Sequence, residues 1–213
     1  MPARSVLFAD YATTTPKPKR VYCDANFALH VLTYSLLHTN PRLLHPLDTA
    51  CHAFYQNLKT DNVDVIASLL TYVEVMHAYS FKGPGGMYKS VKALLATKGV
   101  RPPSSGQECF KEALRRFPVE TDTLWVSIRD RVAAVDEFFG TYMRVLSPLP
   151  SPTLTNITKS VSDFASILKF HYVGIESSDA LHLSLATYLA SDAVISLDRS
   201  FQAVDSFTVY WTT

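Results

Sequence analysis

Val21-Tyr22-Cys23-Asp24-Ala25-Asn26 decides the fold. Three strand-forming residues run directly into an acid. From Phe27 onward the apolar pattern changes period: Phe27, Val31, Tyr34 and Leu37 recur at helical spacings of four and three. A strand that turns at Asp24 into a helix is the opening of an α/β unit.

The same signature returns further along. Residues 48–59 predict a second helix with Asp48 at its cap, and Val63–Ala67 a short strand. Ser68 caps a third helix with the stripe Leu69, Tyr72, Val73 and Met76. Near the other end, Ser177-Ser178 open an amphipathic helix carrying Leu181, Leu185, Tyr188 and Leu189. Ala193–Leu197 predicts a buried strand ending at Asp198, followed by a short helix at 199–204 and a last strand at 207–211. Strands alternating with helices predict a mostly parallel sheet covered on both faces, a three-layer α/β/α fold.

Composition changes at Gly83-Pro84-Gly85-Gly86. From there to about Pro152 the pattern is helical, with Pro/Gly/Ser breaks and no strand signal. We read 83–152 as a helical insertion in a single domain spanning 21–213. Ser160–Phe170 predicts one more helix. Residues 1–20, rich in Thr and Pro with a basic end, read as an exposed leader.

The chain has 213 residues, with 20 Lys+Arg against 19 Asp+Glu and a net charge of +1. That balance excludes a disordered polyelectrolyte and a uniformly basic nucleic-acid coat. Cys23, Cys51 and Cys109 form no CxxC pair, so neither a zinc ribbon nor a disulfide framework is indicated. The composition suits reduced thiols in the cytoplasm. No apolar run is long enough to span a bilayer, and no secretory signal is visible.

Ligands of open α/β sheets bind beyond the carboxyl ends of the strands. Asp24 and Asp198 stand at two such ends. Glu74 lies within the third predicted helix, and Asp179 lies in the first turn of the helix opened at Ser177. Taken singly, each has an ordinary reading: Asp24 or Asp198 as a helix cap, Glu74 as a solvated helix face, Asp179 as a dipole-complementing residue. Taken together, four ionised carboxylates repel unless a cation sits among them or they share protons. Oxygen-only ligands favour Mg²⁺ or Mn²⁺ over zinc, and such a site suits metal-assisted phosphodiester hydrolysis.

The ordered set resembles a family. Val21-Tyr-Cys-Asp24-Ala-Asn26, Leu70-Thr-Tyr-Val-Glu74-Val, Ser178-Asp179-Ala180-Leu181-His182-Leu183 and Val194-Ile-Ser196-Leu-Asp198-Arg-Ser-Phe201 are similar to the four motifs of PIN-domain ribonucleases, in particular VapC-type toxins. The resemblance covers residues 21–82 and 160–211. It implies a PIN-like fold and a metal-dependent endoribonuclease. In it Asp24, Glu74, Asp179 and Asp198 hold Mg²⁺ or Mn²⁺, and Asn26 and Ser196 orient the ligands or the RNA substrate. It further implies an antitoxin protein as a partner and a homodimer. Ser196 stands where the family often has Thr, and the helical insertion has no counterpart in the shorter toxins.

Other features point less clearly to chemistry. Gly83–Ser90 superficially has the look of a phosphate loop, but Tyr88 replaces a required glycine. His182, three residues after Asp179, reads as a packing or hydrogen-bonding residue. Lys111, Arg115, Arg116, Arg129 and Arg131 form the most basic region, either an RNA-backbone surface or a solvated face. The competing functions are a non-catalytic interaction module on the same fold and a phosphoryl-transfer protein using Asp24.

Overall fold

A computed structural model describes residues 5–83, 86–146, 176–204 and 207–212. The chain divides into two compact units, Met1–Tyr72 with Tyr142–Thr213, and Val73–Thr141.

The first unit is built on a six-stranded, wholly parallel sheet. Its strands are β1 (Ser5–Leu7), β2 (Arg20–Cys23), β3 (Asp64–Ser68), β4 (Arg144–Leu146), β5 (Ala193–Ile195) and β6 (Thr208–Trp211), in the order β1-β6-β5-β2-β3-β4. From β2 the chain builds outward through β3 and β4, then returns to β5 on β2's other side. The strand order therefore reverses between β2 and β5, which makes that crevice the switch point.

Helix α1 (Ala25–Leu37) follows β2, and α2 (Pro46–Thr60) precedes β3. Helix α3 (Leu69–His77) begins directly after β3, and α7 (Ser177–Tyr188) precedes β5. Side chains alternate across the pleat. Ile66, Tyr22, Val194 and Val209 lie in one register row and pack with Ala180, Leu183 and Ala186 of α7. On the opposite face Tyr210 meets Phe54 of α2 at 5.5 Å between ring centroids. The sheet is thus covered on both faces, as the alternating pattern predicts.

The expected leader is corrected. Residues 5–7 form an edge strand against β6, and Phe8 and Tyr11 in the following 3-10 helix (Phe8–Thr13) are buried. Phe8 stacks on Phe54 at 4.0 Å, and Tyr11 meets the same ring edge-on at 5.2 Å. Burial of such rings is worth about 1.5–3 kcal/mol each, which is why this short stretch is held down. The expectation of no strand between 83 and 152 is also corrected, since β4 pairs with β3 at the sheet edge. Asp48 is not the cap of α2. His45 caps it, and Asp48 accepts the His45 N–H from the third helical position, completing a capping box. The helix predicted at Ser160–Phe170 lies outside the described residues.

The second unit is helical. A π-turn (Ala78–Lys82) leads to α4 (Met87–Thr97), α5 (Gly106–Arg116) and α6 (Pro118–Tyr142), the last crossing into the first unit at its end. Met87, Val91 and Leu95 recur every four residues on α4 and pack with Cys109, Ala113 and Ile128. Gly106 is needed at the start of α5: a Cβ there would lie 2.5 Å from the ring of Tyr88. The helical block thus has its own core, and it runs from Val73 to Thr141 rather than from 83 to 152.

Candidate functional site

Two carboxylates flank the switch point. Asp24 leaves β2 and caps α1, its Oδ1 accepting the Phe27 N–H at 2.9 Å. Its own N–H donates to the Ile195 carbonyl at 3.1 Å, which extends the β2–β5 ladder by one step. Asp24 is 4% exposed. Its Oδ2 accepts a hydrogen bond from the hydroxyl of Ser196, which is fully buried at the end of β5. The Ser196 oxygen also accepts the Asp198 N–H at 3.0 Å.

From Asp198 the connection continues. Its Oδ1 accepts the Ser200 N–H at 2.9 Å, capping the 3-10 turn Arg199–Ala203. The Ser200 hydroxyl donates to Asp179 Oδ2 at 2.6 Å. Three aspartates from three elements are thereby tied in series through two serines: Asp24, Ser196, Asp198, Ser200, Asp179. The middle aspartate of the series, Asp198, is exposed, while the end members are buried (Asp24) and half-buried (Asp179).

The charges act on each other. The Asp179 carboxyl is held above its ordinary range, first by burial, with the Asp198 charge adding to it and the Ser200 hydrogen bond opposing it. Burial is the main cause, and the like charge of Asp198 works in the same direction. Ser200 is a residue the motif reading missed. Its signal was present in the spacing Ser196-x-Asp198-x-Ser200.

Glu74 is half-buried on α3, beyond the residue at which the chain passes into the second unit. The arrangement above is therefore one of three aspartates, all within the first unit. Asn26 is exposed in the first turn of α1.

His182 belongs to a buried polar cluster under the sheet. Its Nδ1 lies 2.6 Å from the Tyr22 hydroxyl, which also meets Ser68 Oγ at 2.8 Å and Thr71 Oγ1 at 3.1 Å. Thr71 Oγ1 donates to the Cys23 carbonyl at 3.1 Å. Burial pushes the Tyr22 phenol well above its usual range, so it stays protonated and its hydroxyl joins His182, Ser68 and Thr71 in one hydrogen-bonded cluster. The packing and hydrogen-bonding reading of His182 is the one the geometry supports.

The donor set at the switch point is carboxylate and hydroxyl oxygen, which suits a hard divalent cation. Among the described residues, no three His, Cys, Asp or Glu side chains come close enough to enclose a metal ion. Mg²⁺ keeps several waters and needs only one or two direct carboxylates, so the aspartates present fit a hydrated ion.

No protein-family model matches the chain, and no curated protein is found similar to it in sequence. Among solved structures it is similar to VapBC2 from Rickettsia felis bound to a DNA fragment from its promoter. Identity is 10%, over 90% of this chain and 98% of that chain, with a TM-score of 0.44. Superposition this loose lends nothing to the functional reading, which rests on the residues themselves.

Proposed function

We propose that this chain is a divalent-metal-dependent endoribonuclease that takes up a hydrated Mg²⁺ or Mn²⁺ at the aspartates Asp24, Asp179 and Asp198, one or two of them binding it directly and the rest through its waters. The observation that supports it best is the serine-bridged series of aspartates at the β2–β5 switch point. A bound divalent ion would supply an activated water and a counter-charge for the scissile phosphate. Ser196 fixes the Asp24 carboxylate, and Ser200 fixes that of Asp179. Asp198 is the exposed member, which supports a role for it in meeting the substrate. Asn26, exposed beside Asp24 in the sequence, is assigned to substrate orientation.

The motif resemblance adds a role as the toxin of a toxin–antitoxin pair, acting in the cytoplasm as a homodimer covered by an antitoxin. No helix among the described residues is long and apolar enough to cross a membrane. The test is cleavage of single-stranded RNA with Mn²⁺ or Mg²⁺, and its loss in Asp24→Asn and Asp198→Asn. Cleavage that persists in both variants overturns the assignment.

A second reading is a module on this fold that binds and does not cleave. It is favoured by the wide spacing of the acids among the described residues and by the structural duties of Asp24 and Asp198 as helix caps. Calorimetric titration with millimolar Mn²⁺ separates the two: the module takes up no metal.

A further inference from the structure

The near-neutral chain is not neutral locally. Residues 82–116 carry eight Lys and Arg against two Glu, a net +6, so the remainder of the chain sums to −5. This segment is the π-turn end, α4, α5 and their connection.

The packing turns those charges outward. Helix α4 buries Met87, Val91 and Leu95, which leaves Lys89 and Lys92 on its exposed side. Helix α5 buries Cys109 and Ala113 and exposes Lys111. Lys82 and Arg101 are exposed on either side of α4.

Some cations of the unit are already neutralised. Arg115 and Arg116 both bind Glu112, and Lys98 pairs with Glu120 at 2.7 Å. Arg131 donates to the Tyr79 carbonyl and lies over the Tyr79 ring at 4.1 Å. Among the described residues no acid pairs with Lys82, Lys89, Lys92, Arg101 or Lys111. The positive charge with no acid partner among the described residues therefore lies on α4 and its flanks, on Lys111 of α5 and on Arg129 of α6, and Arg115 with Arg116 keeps a net single charge over Glu112.

The same unit holds an apolar cleft of about 410 Å³ on α6, lined by Trp125, Val126, Arg129 and Val132. Trp125 is 38% exposed. Phe81 and Phe110 meet it edge-on at 5.7 and 5.8 Å, which hold the indole in place. Arg129 lies one helical turn further along. A fixed, accessible indole beside a guanidinium is a stacking platform for a nucleobase.

We propose that the helical unit is a docking surface for single-stranded RNA, with Lys82, Lys89, Lys92, Arg101 and Lys111 contacting phosphates and Trp125 with Arg129 stacking a base. Separated positive charge and an exposed aromatic together answer the two parts of a nucleotide, whereas an acidic peptide would satisfy only the first. The choice of RNA over other polyanions rests on the nuclease reading above.

The test is fluorescence anisotropy with a mixed-sequence RNA of ~20 nucleotides, longer than the roughly 4–16 nucleotides of a single-strand binding site, using the full chain in EDTA so that nothing is cleaved. The double variant Lys89→Glu/Lys92→Glu is expected to bind at least about tenfold more weakly, with a shallower dependence of affinity on salt. Trp125→Ala is expected to bind about tenfold more weakly with the salt dependence unchanged. Lys89→Ala/Lys92→Ala, a milder change on the same exposed face, should fall between wild type and the reversal. Equal melting temperatures keep the comparison one of binding. Wild-type protein that ignores the RNA, or charge-reversed protein that binds it undiminished, overturns the proposal. So does competition by polyglutamate as effective as by RNA of equal charge, which would identify an acidic protein partner. A wild-type chain that binds in this way yet never cleaves with Mn²⁺ sinks the nuclease reading alone. A chain that cleaves while the reversed variant binds normally sinks this inference alone.

Discussion

Ser196 donates its hydroxyl proton to the buried carboxylate of Asp24, and it does so across the two central strands at which the sheet changes direction. The contact joins residues 172 apart in sequence. It also places Asp198, through its N–H on the same oxygen, at a fixed offset from Asp24.

Ser196→Ala removes that donor and leaves a buried carboxylate short of one partner, at a cost of about 1–3 kcal/mol. Cleavage is expected to fall by ~10–100-fold, as for groups that orient metal ligands. Thermal melting and RNA cleavage measure the two effects. Wild-type cleavage with lowered stability would make Ser196 purely structural.

Asp24 has two duties, and substitutions separate them. Asp24→Asn keeps an oxygen for the Phe27 N–H and preserves the α1 cap. Asp24→Ala loses it, which costs about 1 kcal/mol more. Both are expected to abolish cleavage. If only Asp24→Ala were inactive, the cap and not the charge would be what activity requires.

The raised Asp179 carboxyl gives a pH signature. An acid whose folded pKa exceeds its unfolded value binds protons more tightly in the folded state, so its contribution to stability declines as pH rises from the unfolded to the folded value. At neutral pH the ionised Asp179 is a net liability. Asp179→Asn should therefore melt higher than wild type at pH 7, and the gap should close in acid. Added Mg²⁺ should raise the wild-type melting temperature and leave that of the variant nearly unmoved. A variant less stable than wild type at pH 7 contradicts this.

Tyr22→Phe deletes the hydroxyl at the centre of the buried cluster and strands the His182 Nδ1, with a loss of about 1–3 kcal/mol. Denaturant unfolding reads the loss directly. An unchanged midpoint would mean that water replaces the phenol.

Phe8→Ala removes a ring stacked in the core, and about 3 kcal/mol should go with it. The same substitution in a solvated leader would change nothing measurable, so the melting curve decides between the two.

The parts of the fold legible in the sequence are those where chemistry and periodicity coincide. Val21–Cys23, Val65–Ala67 and Ala193–Ile195 are short apolar runs, and each ends at or near a polar residue that opens a helix or turn. Those strands are central or next to central, buried on both faces, and their composition shows it. The strands β1 and β4 were not legible because each lies at the sheet edge with a mixed burial pattern, whereas the equally short β5 is central and wholly buried. Tyr11 among Thr and Pro likewise gives no sign that it closes over Phe54. At the site, Asp24, Asp179 and Asp198 could be read from strand ends and a helix start. The serines that link them could not be ranked, because a hydroxyl becomes informative only once its distance to a carboxylate is known. His45 as the cap of α2 escaped notice for a similar reason: an imidazole caps only in a particular backbone geometry.

Asp192 stands at the other end of the same strand pair. Its Oδ2 accepts the N–H groups of Lys19 at 2.8 Å and Arg20 at 2.9 Å, just where β2 begins. The segments 20–24 and 192–196 are thus pinned at entry by Asp192 and at exit by Ser196, like two rulers fastened at both ends. Between the pins, substitutions of the buried apolar residues Val21 and Val194 need only keep volume, whereas Tyr22 must also keep its hydroxyl. A single inserted or deleted residue in either segment would break one pin and turn its last residue, Asp24 or Ser196, to the opposite side of the sheet. Length in these two five-residue windows, more than identity, is what the protein has least freedom to vary.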